Sequence, residues 1–96
     1  MKPIRRRARE IRILQRAVEE LLFREWDPIG VNQHSDCVDE YNSYAAIITR
    51  LLCEGADEHK LVDYLRRFQR DNMRLSDVEI ERDRRVAQLL LQLLRK

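Results

Sequence analysis

Glycine and proline are scarce, two of each in 96 residues, and aromatic residues make up only 6%. A β-rich fold needs turn residues more often than this, so the scarcity argues against one. No apolar run reaches the eighteen or so residues that a membrane span requires. The basic start is not followed by an uninterrupted apolar segment, so no secretory signal is expected. Ser and Thr are absent from the first 34 residues, and helical patterning continues through Glu19 and Glu20, which argues against an organelle transit peptide. Cysteine is nearly absent too. Cys37 and Cys53 stand sixteen residues apart; on one helix their Cα atoms would be about 24 Å apart. A disulfide needs about 7 Å or less, so free thiols in a reducing cytoplasm are expected.

What the chain does have is helix-forming material. Ala, Leu, Arg and Glu dominate, 38% of residues are charged, and 44% are hydrophobic and periodic. The length suits one small domain. The net charge of +2 hides an uneven distribution. Residues 1–25 carry eight Lys/Arg and four Glu, residues 26–59 one Arg and seven Asp/Glu, and residues 60–96 ten Lys/Arg and six Asp/Glu. An acidic centre between basic flanks is expected to pair chiefly within the fold, the alternative being two faces of opposite sign shown to a partner.

Hydrophobic periodicity places helices at about residues 4–25, 36–54, 57–73 and 77–96. In the first, Ile4, Ala8, Ile11, Leu14, Val18, Leu21 and Leu22 form one apolar stripe, ended by Asp27-Pro28 because the residue before a proline is driven out of the helical region. Ser35 or Asp36 can cap the second, and Gly55 sits where a left-handed C-terminal cap belongs. Asp57 is the N-cap expected for the third, and Ser76-Asp77-Val78-Glu79 fits a capping box opening the fourth. The short connections predict an all-α, compact four-helix antiparallel bundle or array spanning residues 1–96 as a single domain. The last helix is apolar over more than half its circumference, through Val86, Ala87, Leu89, Leu90, Leu91, Leu93 and Leu94. Such a helix is central to a fold or docks on another chain, which makes Leu90, Leu91 and Leu94 the candidate oligomer face.

The densest information lies in residues 26–44, which hold the only Trp, two of the three Tyr, one Gly and one Pro. Trp26, Asp27, Pro28, Gly30, Asp39, Glu40, Tyr41 and Tyr44 are the candidate signature, as an interaction surface or as a structural elbow. Trp26 could anchor a partner, but plugging the core at a helix end is the favoured reading. Tyr41 and Tyr44 share a helix face, where their hydroxyls can reach Asp27 or an arginine and tie helices together. Asp36, Asp39 and Glu40, with His34 and Cys37 nearby, form a grouping of metal-type donors. The calcium-loop pattern is missing and His59 and Cys53 are distant in sequence, so no metal or other cofactor is expected. Of the few serines Ser35, Ser43 and Ser76, Ser76 is expected to cap a helix, and His34 beside Ser35 lacks a third orienting group, so no catalytic residue and no enzyme are expected. Arg5, Arg6, Arg9 and Arg12, continued by Arg16, could neutralise phosphates. Near-neutral overall charge and the lack of a base-reading pattern favour a solvated face over nucleic-acid binding.

One pattern runs through Leu21-Leu22, Trp26-Asp27-Pro28-Ile29-Gly30-Val31, Asp39-Glu40-Tyr41, Tyr44, Leu51-Leu52, Gly55-Ala56, Leu61 and Tyr64-Leu65, with Met73 and Leu75 fitting as well. Over about two-thirds of its length the chain thereby resembles a family of small uncharacterised bacterial all-helical proteins, a domain of unknown function. The resemblance implies a compact helical domain in the bacterial cytoplasm and implies no activity. The Arg-rich start, Cys37 and Cys53 depart from the pattern. Toxin-neutralising immunity proteins share the size and class, which is analogy alone. The expected function is a non-enzymatic protein–protein interaction module with an unknown protein partner or a second copy of itself. The alternative is a nucleic-acid-binding accessory protein.

Overall fold

The computed structural model describes residues 8–27, 41–72 and 80–94. Among these residues every element is helical: α1 (Ala8–Leu21) widening into a π-helical turn (Leu22–Trp26), α2 (Asn42–Cys53), α3 (Glu58–Arg67) widening into a second π-helical turn (Phe68–Asn72), and α4 (Ile80–Leu93). They form a compact all-α bundle in which α1 packs against α2 and α4, and α3 packs against α4. The radius of gyration is 12.9 Å, close to the ~12.5 Å expected for a compact chain of this length.

The termini follow local chemistry where they are described. Asp57 Oδ1 accepts from the Lys60 backbone N–H at 2.9 Å, satisfying an otherwise orphaned donor at the start of α3. Gly55 takes φ 85°. Around it the Ala56 N–H donates to Leu51 O (3.0 Å) and the Gly55 N–H to Leu52 O (3.1 Å), a Schellman closure of α2. The first helix ends at Asp27 with φ 34° and ψ 57°, so this pre-proline residue leaves the helix through the left-handed region rather than the extended one. α2 is described from Asn42, after the non-helical N-cap Tyr41, a residue expected inside the helix. Ser35, Asp36 and the expected capping box at 76–79 lie outside the described residues.

Both π turns have a packing reason. Leu14, Val18, Leu22 and Trp26 are buried at a spacing of four, as are Leu61, Leu65 and Gln69. In an α-helix that spacing drifts about 40° around the axis per step, because four residues exceed one turn of 3.6. A wider turn takes the drift back. Trp26 and Gln69 are thereby kept facing the interior rather than rotating toward water, and the Asp27 N–H closes the first wide turn on Leu22 O at 2.9 Å.

The core joins these rows to Tyr41, Ala45, Ile48, Leu51, Leu52, Phe68, Val86, Ala87 and Leu90. Leu90 is completely buried inside the chain, so it belongs to this core and not to an outward oligomer face. Leu91 and Leu94 are half-buried against the same core. The wide apolar surface of α4 is used mostly from within.

Candidate functional site

The buried polar centre of the fold is Asp83, fully enclosed near the start of α4. It occupies the first position of the inward row Asp83, Val86, Ala87 and Leu90, where a hydrophobic residue would be the ordinary choice. Three donations meet its carboxylate. Trp26 Nε1–H donates to Oδ1 at 3.1 Å, and Gln69 Nε2 donates to both oxygens at 3.0 Å. Gln69 is itself tied down: Nε2 also donates to Leu65 O at 3.0 Å, and its Oε1 accepts from Arg82 Nη2 at 3.1 Å. Three helices are therefore joined through one side chain, the ends of α1 and α3 supplying donors and α4 the acceptor. Burial pushes the Asp83 carboxyl above its ordinary pKa, opposed by the hydrogen bonds from Gln69 and Trp26 and by the charges of Arg82 and Arg66.

Around this centre lies an aromatic cage. The Trp26 ring meets Tyr41 edge-on at 5.4 Å, Tyr44 at 6.1 Å and Phe68 at 6.3 Å. Tyr44 and Phe68 are 4.7 Å apart, and Tyr64 reaches Phe68 at 6.0 Å. Edge-to-face pairs at these distances add to the burial of the rings themselves. Trp26 is 1% exposed, so it offers no surface anchor. Tyr41 Oη–H donates to Asp27 Oδ1 at 2.6 Å, fastening the end of α1 to the start of α2. Arg85 on α4 donates to the Glu25 backbone carbonyl at 3.4 Å, with its guanidinium 3.9 Å from the Glu25 carboxylate.

Of the sequence signature, Trp26, Asp27, Tyr41 and Tyr44 come together in this brace, while Pro28, Gly30, Asp39 and Glu40 lie outside the described residues. The same holds for Arg5 and Arg6; Arg9 and Arg12 are exposed on α1. Cys53 is a half-buried free thiol, and Cys37 lies outside the described residues. No group of three or more His, Cys, Asp or Glu side chains is placed to hold a metal ion among the described residues. Nor is any described helix long and apolar enough to cross a membrane.

Sequence reasoning missed Asp83 and Gln69, although a signal for both exists. Read backward from Leu90, the inward row of α4 runs onto a carboxylate, and the row Leu61, Leu65 runs forward onto an amide. A polar residue extending an apolar stripe by one step marks a candidate buried hydrogen-bonding pair.

The outer surface includes open depressions lined by described residues. One lies along α3, lined by Asp57, His59, Lys60, Val62, Asp63 and Arg66. Another is a groove of about 490 Å³ between α1 and α4, with Ala17, Leu21, Leu89 and Leu93 as its apolar lining and Glu20, Arg24 and Glu25 as its charged rim. Taken together, fold and site define a class: an all-α bundle whose described helices are latched by an internal polar cluster. Comparison with protein-family models, with curated proteins and with solved structures yields no match.

Proposed function

We propose that this chain is a non-enzymatic module of the bacterial cytoplasm that binds another protein chain. The observation that carries the reading is the α1–α4 groove, where half-buried leucine and alanine side chains form the floor within a rim of charge, the arrangement of a small interface with an apolar centre and polar edge. Support also comes from how the interior polar groups use their bonds. Trp26, Asp27, Tyr41, Gln69 and Asp83 are engaged with one another, and their work is to hold helices together.

A photo-crosslinking residue placed at Leu93 in the full chain tests this. In cells it is expected to trap a discrete protein adduct, whereas the same residue at Ser43, exposed on α2, traps none. Absence of a protein adduct at Leu93 refutes the module. A second reading, nucleic-acid binding, is favoured by the exposure of Arg9, Arg12 and Arg16 along α1. It requires a low-salt gel shift that weakens steeply with salt and disappears in the Arg9→Ala, Arg12→Ala, Arg16→Ala triple variant.

A further inference from the structure

We infer that the partner seated on the α1–α4 face is a second copy of this chain, related by a two-fold axis, with the two α1 helices antiparallel and crossing at Ala17. This rests on the interaction-module reading and names its partner.

Two observations point to it. The first is Ile13, the most exposed large hydrophobic residue described, at 61%. It stands one helical turn before Ala17 and two before Leu21, in the turn that precedes the groove's α1 wall. The drift of about 40° per four residues turns Ile13 outward from the groove wall, which leaves an exposed isoleucine beside the leucine-lined groove at the height where a partner helix would lie.

The second is the order of charge along α1. Before Ala17 stand Arg9, Arg12 and Arg16 with only Glu10; after it stand Glu19, Glu20 and Glu25 with only Arg24. Among the described residues the acidic half makes only exposed ion pairs, Glu20 with Arg24 at 3.3 Å and Glu25 with Arg85 at 3.9 Å, which contribute little and can exchange. This segregation of charge suits an antiparallel copy, whose basic half lies along the acidic half of the first. With the crossing at Ala17, the 1.5 Å rise sets Arg16 within about 3 Å, along the axis, of Glu20 in the second copy. Ile13 comes level with Leu21 of that copy, and the smallest groove residue sits where the helices approach most closely. A two-fold arrangement makes each contact twice.

The size of the face sets the strength. The 19 residues from 8 to 26 make a helix about 28 Å long, and two adjacent helices are about 20 Å wide. That footprint falls below the ~800 Å² per partner of a standard stable interface, which places the dimer among weak, reversible assemblies, to be sought in the micromolar range.

Sedimentation equilibrium of the full chain from about 1 to 500 µM (chosen to span that range) is expected to show reversible monomer–dimer exchange. Ile13→Glu, at a position too exposed to unfold the chain, is expected to leave only monomer, with the helical circular dichroism and melting temperature kept. Arg16→Glu and Glu20→Arg should each weaken dimerisation at least several-fold, and the double exchange should restore it. Monomer throughout the concentration range overturns the inference. So does a dimer indifferent to Ile13→Glu, which would use another face. If the chain is monomeric while the crosslinker at Leu93 captures a different protein, self-pairing fails and the module reading survives. If it is monomeric and nothing is captured, both fall.

Discussion

Replacing Asp83 with alanine removes the acceptor that holds Trp26 Nε1–H and Gln69 Nε2–H in the interior. Each orphaned buried donor costs about 1–3 kcal/mol, so the gross loss is about 2–6 kcal/mol. Relief of the buried carboxylate offsets part of this, leaving an expected net loss of about 2–4 kcal/mol. For a domain of this size that lowers Tm by roughly 10–25 °C. Urea and thermal unfolding followed by circular dichroism measure the change. Fluorescence adds a local probe, because Trp26 is the only tryptophan and one of the carboxylate's own donors. The pH dependence carries a definite sign. Burial raises the folded-state pKa of Asp83 above its ordinary value of 3.8, so the folded protein holds that proton more tightly than the unfolded chain. The stability contributed by protonation is fully present below the ordinary carboxylate range and is lost as pH rises through the raised folded value. Asp83→Asn keeps one acceptor oxygen and cannot titrate. The stability of the parent relative to this variant should therefore increase as pH falls through that window, other carboxylates cancelling in the difference. A parent–Asn difference that is flat with pH would refute the raised pKa of Asp83, and Asp83→Ala within ~0.5 kcal/mol of the parent would refute the claim that this cluster latches the fold.

Three further substitutions probe the brace and the helix ends, each read by chemical denaturation. Tyr41→Phe deletes the 2.6 Å hydrogen bond to Asp27 and should cost about 1–3 kcal/mol because the acceptor is a carboxylate. Gly55→Ala forces a Cβ onto φ 85° and should cost about 1–2 kcal/mol, more than alanine costs in an unstrained loop. Asp57→Ala removes the N-cap bond to Lys60 and should cost about 1 kcal/mol, with fraying confined to the start of α3 in hydrogen exchange.

How much of this was legible in the sequence depended on the range of each interaction. Helix content, the Asp57 cap and the left-handed Gly55 follow from rules acting within a few residues. The same is true of the break after Trp26, where a proline two positions on prevents continuation. The pairing of Trp26, Tyr41 and Asp27 was within reach because aromatic and carboxylate groups cluster in one short stretch, and the bond spans fourteen residues. The start of α2 at Asn42 was not, since its N-cap Tyr41 makes no side-chain capping bond and so leaves no local signal.

The sequence alone determined four amphipathic segments and which stripe of each turns from water, because helical period and apolar placement are properties of the local chain. Only tertiary structure decided which stripes meet. It brought Asp83 to Trp26 across 57 positions, and it required two widened turns to aim Trp26 and Gln69 at one carboxylate. It also closed Leu90 into the core while leaving Ile13 outside. Period fixes the direction a side chain faces around its own axis. What it faces is set by the joint packing of several helices, in which a buried charge is tolerable only if donors from separate segments arrive together.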